Sequence, residues 1–582
     1  MSHKKIILLI IGLVLLTFVN SLANGFVGDD FLLFAGNDFY RHPSNIAKVF
    51  SAELITTPDQ LRGPSVPGRA GNFSGCVAYR PVTALSFFAD AALWKLNPHG
   101  MRLTNLLLHI FNSLLVYTLI FTLLRRKSVA LFTALLFGVH PLAVELVNNV
   151  GYRSDLLVTL FFLLTAIAFM FQTDEKPSRA RAWGFITLIL ALLSKETAVC
   201  FPFVLMLYHC VVESEGTVVK TLKKNLSLYL ACFILVLGYL YLYVFVVPNA
   251  ALTGSGEVEA GAQVFLFFHM LGYYLACIFM PFEISVVPTF YAPDFYAVGG
   301  GYVIGAVLAL ALTYYAITAS WRRRGVTAFF MLWFIVTYLP VSNIFPLVNP
   351  MAYRYLYLPG IGAFAALALL TRWAIGFIRH NKRYRFYRYS IKAVIVVLCM
   401  LATVGLNRRY QNDFTVYEAM RTRFPGSAYP YLMLGTIYKQ TGHYPEAIAY
   451  FYKYMENKPR KSFYQSMPGD YIAWYQIGVC YVGDPDRALA AFVKSVQLNP
   501  GFADGYASIG KAFLLKKDFP QALIYINQAL LRDPLLFSAY VYLVETYWQM
   551  GEKEKAQAVL TDALGVYPDA GHLLQLKADM QP

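Results

Sequence analysis

Between residues 5 and 406 apolar runs about long enough to cross a bilayer recur, most of them joined by short links. A helical crossing takes roughly 17–25 apolar residues, and lipid offers no water to an unpaired backbone group, so such runs are read as helices. Crossings are expected near residues 5–23, 103–124, 128–146, 155–172, 183–194, 197–212, 226–247, 300–319, 326–345, 356–377 and 390–406, the fifth and sixth short and tilted. With 58% of the 582 residues hydrophobic and 14% charged, lipid rather than one aqueous core solvates most of the chain.

The basic residues orient these crossings. Arg125, Arg126 and Lys127, the pair Arg179 and Arg181, Lys220 with Lys223 and Lys224, Arg322 to Arg324, and the run 379–388 all lie in links, as cytoplasmic loops do. If all of them face the cytoplasm, residues 248–299 lie wholly outside, and the apolar run 263–280 is an interfacial or re-entrant helix. The result is eleven crossings, an N-terminus inside, an outer loop at 24–100, and everything after residue 406 outside. Lys4 and Lys5 precede the first run, which reads as a retained anchor. The net charge of +16 is accounted for by these clusters, so no nucleic-acid partner is implied. Seven cysteines, at 76, 200, 210, 232, 277, 399 and 480, show neither metal-ligand spacing nor a disulfide framework.

Residues 407–582 differ in kind. Pro425, Pro459, Pro500, Pro534 and Pro568 recur at intervals of 34, 41, 34 and 34, and 34 is the tetratricopeptide period. Ala447, Ala488, Ala522 and Ala556 hold one phase, and Tyr438, Tyr450, Trp474, Tyr481, Phe492, Phe513 and Tyr525 fill the large positions. About four helix pairs should stack into a short superhelix, with the longer interval marking an insertion around 460–469. The aromatics read as packing between helices, leaving any ligand to the concave face as a whole.

Polar groups in or beside the crossings need a reason, since a charge at mid-membrane costs about 2.5–3.5 kcal/mol even on a generous scale. Asp29 and Asp30 stand together just beyond the first crossing. Two adjacent carboxylates repel, and beside lipid one of them holds its proton more tightly than in water, which suits a general base or a divalent-metal ligand. Arg102, Asn105, His109 and Asn112 fall at intervals of three, four and three, on one face of the second crossing, facing either a polar cavity or a neighbouring helix. The third crossing closes on His140 and Pro141, followed by Glu145, Asn148, Asn149, Gly151, Tyr152, Arg153, Ser154 and Asp155. Between the fifth and sixth, Lys195 can meet a phosphate with Glu196 orienting it, or the two can form a local ion pair. Near the tenth, Arg354 stands among Tyr353, Tyr355 and Tyr357, placed to clasp a phosphate while the tyrosines wall a sugar or line the interface.

By the parity of crossings, Asp29, Asp30, Arg80, Glu145, Arg153, Asp155, Lys195, Glu196 and Arg354 share the outer surface. Acids and phosphate-binding cations on one side suit a donor that is a lipid-linked phosphosugar at the outer leaflet. A carboxylate would deprotonate an acceptor hydroxyl and cations would stabilise the departing lipid phosphate.

Over nearly its whole length the chain resembles the transmembrane and tetratricopeptide repeat-containing O-mannosyltransferases and their bacterial relatives, membrane glycosyltransferases of the GT-C fold. The resemblance rests on Asp29-Asp30 after the first crossing, Tyr79-Arg80-Pro81, the Asn105/His109 helix, residues 137–145, the run Gly151-Tyr152-Arg153-Ser154-Asp155, Leu193-Ser194-Lys195-Glu196, Arg354 to Pro359, and the repeats that follow. Tyr353 precedes the arginine where relatives often carry Glu, and Tyr152 interrupts what is commonly Gly-Arg. The resemblance implies an all-α protein, a GT-C-type membrane domain at 1–406 and a tetratricopeptide domain at 407–582. It implies transfer of a mannose-like hexose from a polyprenyl phosphate to hydroxyls of acceptor proteins recruited by the repeats. Asp29 or Asp30 would then be the base, and Arg354 and Lys195 would meet the phosphate. Arg80, His109, His140, Glu145, Arg153, Asp155, Glu196 and Tyr355 are the further substrate-binding candidates. About four repeats suit a bacterial inner-membrane protein with periplasmic repeats; in a eukaryote the same topology puts them in the lumen of the endoplasmic reticulum. Two other readings differ in class: a ligase or polymerase of lipid-linked glycans, and a non-catalytic envelope scaffold.

Overall fold

The computed structural model describes residues 1–35, 37–51, 78–171, 177–213, 218–246, 260–286, 325–344, 347, 351–377, 384–457, 469–567 and 571–580, with isolated stretches between 302 and 318. Among these residues every regular element is a helix. Seven helical segments are long and apolar enough to cross a bilayer: His3–Ala23, Pro98–Leu124, Val150–Met170, Glu196–Glu213, Leu226–Phe245, Tyr353–Trp373 and Tyr389–Tyr410. An eighth is the bent pair Lys127–Val139 and Pro141–Asn148. The expected fifth crossing is the end of a longer helix, Pro177–Ser194. The expected ninth is Val326–Tyr338 continued by a 3₁₀ turn to Val341. The run at 300–319 lies largely outside the described residues, as do Cys76, Arg322 to Arg324 and the insertion around 460–469.

The helix Pro98–Leu124 shows how the sequence dictates its elements. Pro98 fills the first turn, where its missing N–H is no loss, and the Asn97 side chain caps the helix by accepting the His99 N–H at 2.9 Å. One face is buried through Met101, Arg102, Asn105, His109, Asn112 and Val116, while Leu107 and Phe111 are exposed on the other, where lipid would lie. The next helix breaks by 47° at His140, because Pro141 has no N–H to continue the ladder and holds the residue before it extended. The chain then turns through Val144–Asn148 and a 3₁₀ turn at Val150–Tyr152 into Arg153–Met170. This corner is the frame of the site.

The apolar run at 263–280 forms the helix Ala260–Phe279. Its partners stand at the ends of crossings that the charge pattern puts outside: Tyr338 against both Phe267 and Tyr274, Ala352 accepting the Tyr274 hydroxyl at 3.1 Å, and Ile278 with its carbonyl 3.3 Å from His140 Nε2.

Beyond residue 410 four helix pairs follow: Tyr429–Gln440 with Tyr444–Asn457, Asp470–Cys480 with Pro485–Leu498, Ala503–Leu515 with Phe519–Arg532, and Phe537–Gln549 with Lys553–Val566. Ala447, Ala488, Ala522 and Ala556 are buried where the paired helices approach, and aromatics fill the seams, with Tyr438 on Tyr450 and Phe513 on Tyr525. The repeats do not hang from a free linker. Tyr410, Val416, Tyr417 and Leu434 belong to the same apolar core as the membrane helices.

A buried amide knot anchors the junction. Asn24 Nδ2 donates to Asn148 Oδ1 at 2.7 Å and to the Asn407 carbonyl at 3.0 Å, Asn148 Nδ2 donates to Asn407 Oδ1 at 2.9 Å, and Asn407 Nδ2 reaches the Thr17 carbonyl at 3.1 Å. The first crossing, the 144–148 corner and the last crossing are thereby tied at one level. Buried amides are held in this way only when each donor is matched, which makes the knot specific for one arrangement of the three elements.

Candidate active site

Asp30 opens the site from below. It is 1% exposed, and its two carboxylate oxygens accept the N–H groups of Val150 (3.0 Å) and Gly151 (2.8 Å). A Cβ at Gly151 would lie 2.6 Å from Leu33 Cδ1 and 3.3 Å from Asp30 Oδ1, so a larger residue there would displace the Leu33 side chain. Burial pushes the Asp30 carboxyl up to about 7, opposed by the two amides and by the charge of Arg102 and aided by Asp29. Asp29 is differently placed. It is exposed, and its Oδ2 accepts the hydroxyl of Tyr152 at 3.3 Å.

From Asp29 a line of charged and aromatic groups runs unbroken. The Tyr152 ring lies under the Arg354 guanidinium, 3.9 Å from its Cζ. Arg354 donates through Nη1 to Glu145 Oε1, and its backbone N–H reaches Glu145 Oε2 at 2.9 Å. Tyr355 stands between Arg354 and Lys195, at 5.2 and 5.6 Å. Lys195 Nζ donates to Asp155 Oδ1 at 2.6 Å, leaving Asp155 Oδ2 buried without a protein partner. Arg80 closes the line, bidentate on Glu196 at 2.8 and 3.2 Å and 3.4 Å from Ser154 Oγ. The Arg80 and Glu196 side chains keep 26% and 33% of their surface exposed, so this end is open to solvent. Three cations, each held by one carboxylate, thus line a path whose other end is Asp29.

Several expectations need correction. Lys195 and Glu196 form no local pair: adjacent in sequence, they point to different partners, Asp155 and Arg80, because the extended backbone at Lys195 (φ −163°, ψ 143°) sends neighbouring side chains apart. Arg153 meets no open surface. It is fully buried and bound to Asp90, to Asn105 Oδ1 at 2.7 Å and to the carbonyls of Ser86 and Met101, so it braces the corner. His109 is spent in the same sense, with one ring nitrogen on the Gly138 carbonyl at 3.0 Å and the other on the Tyr357 hydroxyl at 2.8 Å. His140 is buried between the Ile278 carbonyl and the Leu142 N–H. These three support the site from behind. Of the remaining candidates, Arg80, Glu145, Asp155, Lys195, Glu196, Arg354 and Tyr355 come together along the line.

The sequence reading gave Tyr152 no site role and passed over Asp90 and Asn407. Asp90 had a signal, an acid alone on the apolar helix Pro81–Trp94, and Asn407 closes an apolar run. Glu145 reaches Arg354 from 209 residues away and accepts both its backbone N–H and its Nη1. Among the described residues no three His, Cys, Asp or Glu side chains converge as metal ligands.

Two expected results follow. The Arg153–Asp90 pair is 0% and 2% exposed, so Asp90→Ala, which strands the guanidinium, should cost about 3–5 kcal/mol of stability, read as a lower unfolding midpoint in detergent. An unchanged midpoint would mean that water reaches Arg153. For Asp30, a folded-state pKa near 7 against an ordinary 3.8 means that the unfolded chain releases this proton first. Its contribution to stability is complete below about pH 4, declines as pH rises to about 7, and is level above. The stability difference between wild type and Asp30→Asn should fall across that window; a rise would contradict the assignment.

Residues 83–242 match the family model described as dolichyl-phosphate-mannose-protein mannosyltransferase, and residues 428–461, 479–535 and 537–569 match tetratricopeptide-repeat models. The chain is 32% identical over 197 residues to human protein O-mannosyl-transferase TMTC3, covering 34% of this chain and 20% of that protein. It is 22% identical over 457 residues to protein O-mannosyl-transferase F38B6.6 of Caenorhabditis elegans, covering 75% and 60%. The chain therefore spans between a fifth and three fifths of the length of these two relatives. Among solved structures, ArnT from Cupriavidus metallidurans bound to undecaprenyl phosphate aligns with 86% of this chain and 81% of its own at 14% identity, with a TM-score of 0.36.

Proposed function

We propose that this chain, which is similar to membrane protein O-mannosyl-transferases and carries tetratricopeptide repeats, moves a mannose-like hexose from a polyprenyl phosphate to a hydroxyl of an acceptor protein at the outer face of its membrane. The observation that carries this reading is the unbroken line from Asp29 through Tyr152, Arg354, Tyr355 and Lys195 to Asp155, with Arg80 and Glu196 beyond.

Asp29 rather than Asp30 serves as base in this reading. Both oxygens of Asp30 are engaged by backbone amides that shape the corner, whereas Asp29 is exposed and bonded through the movable hydroxyl of Tyr152. Asp29 accepts the proton of the acceptor hydroxyl as its oxygen bonds to the anomeric carbon. The bond from that carbon to the phosphate oxygen breaks, and the electron pair leaves with the phosphate. Arg354, Lys195 and Arg80 face the charge that develops there, Arg354 able to bind two oxygens at once. Each cation already rests on a carboxylate, and the arriving phosphate shares the cations with these acids. Tyr152 and Tyr355 offer faces to a sugar. In this reading the repeats stand outside, in the periplasm of a bacterium, and hold an extended acceptor segment near the base, which raises its local concentration.

The test is release of polyprenyl phosphate from a panel of polyprenyl-phosphate monosaccharides by the purified protein in nanodiscs, with and without acceptor protein. Acceptor-dependent release with one donor would support the proposal and identify the sugar. No turnover with any donor, in folded protein, would favour a scaffold instead.

A further inference from the structure

The turn that presents Asp29 is built on Gly28. The Asp30 N–H returns to the Val27 carbonyl at 3.2 Å, and Gly28 sits at φ +56°, ψ −124°, the conformation of the first central residue of a type II′ turn, which glycine alone adopts without strain. In such a turn the N–H of that residue lies outside the turn's own hydrogen bond. It is taken here by a group from another domain: Gly28 N donates to Asp413 Oδ1 at 2.6 Å. Asp413 is the first residue of the helix Asp413–Arg423, the root of the repeat domain. That helix is itself fixed, by a reciprocal cap between Asn412 and Thr415 and by the Tyr410 hydroxyl on the Val286 carbonyl at 2.7 Å. A second backbone bond, Gly25 N to the Gln411 carbonyl at 2.9 Å, ties the same two segments one turn earlier. On the far side, Arg102 grips the carbonyls of Asn24 and Gly25. The loop carrying the acids is thus clamped between a membrane helix and the first helix of the repeats.

We propose that Asp413 is a positioning residue for Asp29: by accepting the Gly28 N–H, the root of the repeat domain becomes part of the turn that presents the base. The inference rests on the reading of Asp29 as base, and extends it by making the repeat domain a component of the catalytic loop as well as a holder of acceptor. Movement of the repeats on acceptor binding would reach Asp29 through one hydrogen bond and one helix.

The full-length protein in nanodiscs provides the test, as wild type, Asp413→Ala and Asp413→Asn, the last keeping an acceptor oxygen for Gly28. Amide hydrogen exchange of residues 24–35 reads the turn, and kcat and KM for a short Ser/Thr peptide, which needs no repeats for capture, read its consequence. Asp413→Ala should exchange about tenfold faster and lose about tenfold in kcat with peptide KM held, and Asp413→Asn should stay near wild type in both. Wild-type exchange or wild-type kcat in Asp413→Ala overturns the proposal, as does an Asp413→Asn that falls as far as the alanine. Should Asp413→Ala fail to fold, Gly28→Ala strains the same turn with a methyl that meets no atom within 4 Å, and the same losses are expected. Wild type without turnover would refute the catalytic reading alone, since exchange reports the clamp independently.

Discussion

Asp29→Asn is expected to lower kcat by about 10²- to 10⁴-fold, the usual range for losing a general base, with the unfolding midpoint unchanged. The neighbouring substitution should behave in the opposite sense. In Asp30→Asn one oxygen still accepts an N–H, but the new amide group faces the second, leaving a buried donor unmatched at about 1–3 kcal/mol. Its main effect is therefore on stability, and activity should fall only as far as the corner at Val150 and Gly151 loosens. Steady-state transfer kinetics together with thermal unfolding separate the two residues. Equal kinetic losses with equal stability in both would mean that the acids act as one unit, and an active Asp29→Asn would remove it from the chemistry.

Arg354→Gln should be the second large effect, about 10²- to 10³-fold in kcat if the guanidinium faces the leaving phosphate, as for loss of one preorganised charge-stabilising donor. The same change strands Glu145, whose side chain is almost buried beside it, so the single variant will also lose stability. The double variant Arg354→Gln/Glu145→Gln separates these causes, because it removes the unpaired charge while leaving the phosphate without its clasp. Its stability should return toward wild type and its kcat should not. Recovery of both would show that Arg354 acts by packing against Tyr152 and Tyr355, with no part in binding phosphate.

Much of the site was legible because its residues advertise a cost. A lysine, two arginines and several acids among apolar runs need compensation, and charge parity placed Arg80, Glu145, Asp155, Lys195, Glu196 and Arg354 on one side of the membrane. Their pairing was not legible. Lys195 binds Asp155, 40 residues away, and Arg80 binds Glu196 across 116 residues, while the sequence offered the adjacent Lys195–Glu196 pair instead. Proximity along the chain is a poor guide where helices several nanometres long bring their ends together. His109 and His140 show the same limit from the other side. An imidazole can hold a substrate or satisfy itself on a carbonyl, and only the placement of Gly138 and Ile278 distinguishes the two.

Periodicity and hydropathy belong to single helices, and they were enough for the all-helical membrane domain, the burial of the Arg102, Asn105, His109 and Asn112 face, and four repeats with alanines at their contacts. These properties are local: a run of apolar side chains, a proline interval or a stripe at helical spacing has the same meaning wherever the helix is packed. The docking of the repeats is a different kind of fact. It depends on an asparagine knot from three distant segments and on Asp413 meeting a glycine turn 385 residues earlier, and none of these polar groups carries a pattern that names its partner. Hydrogen bonds are short and directional, so their partners are chosen only when the packed helices bring donor and acceptor within about 3 Å, and with them the different surroundings of Asp29 and Asp30.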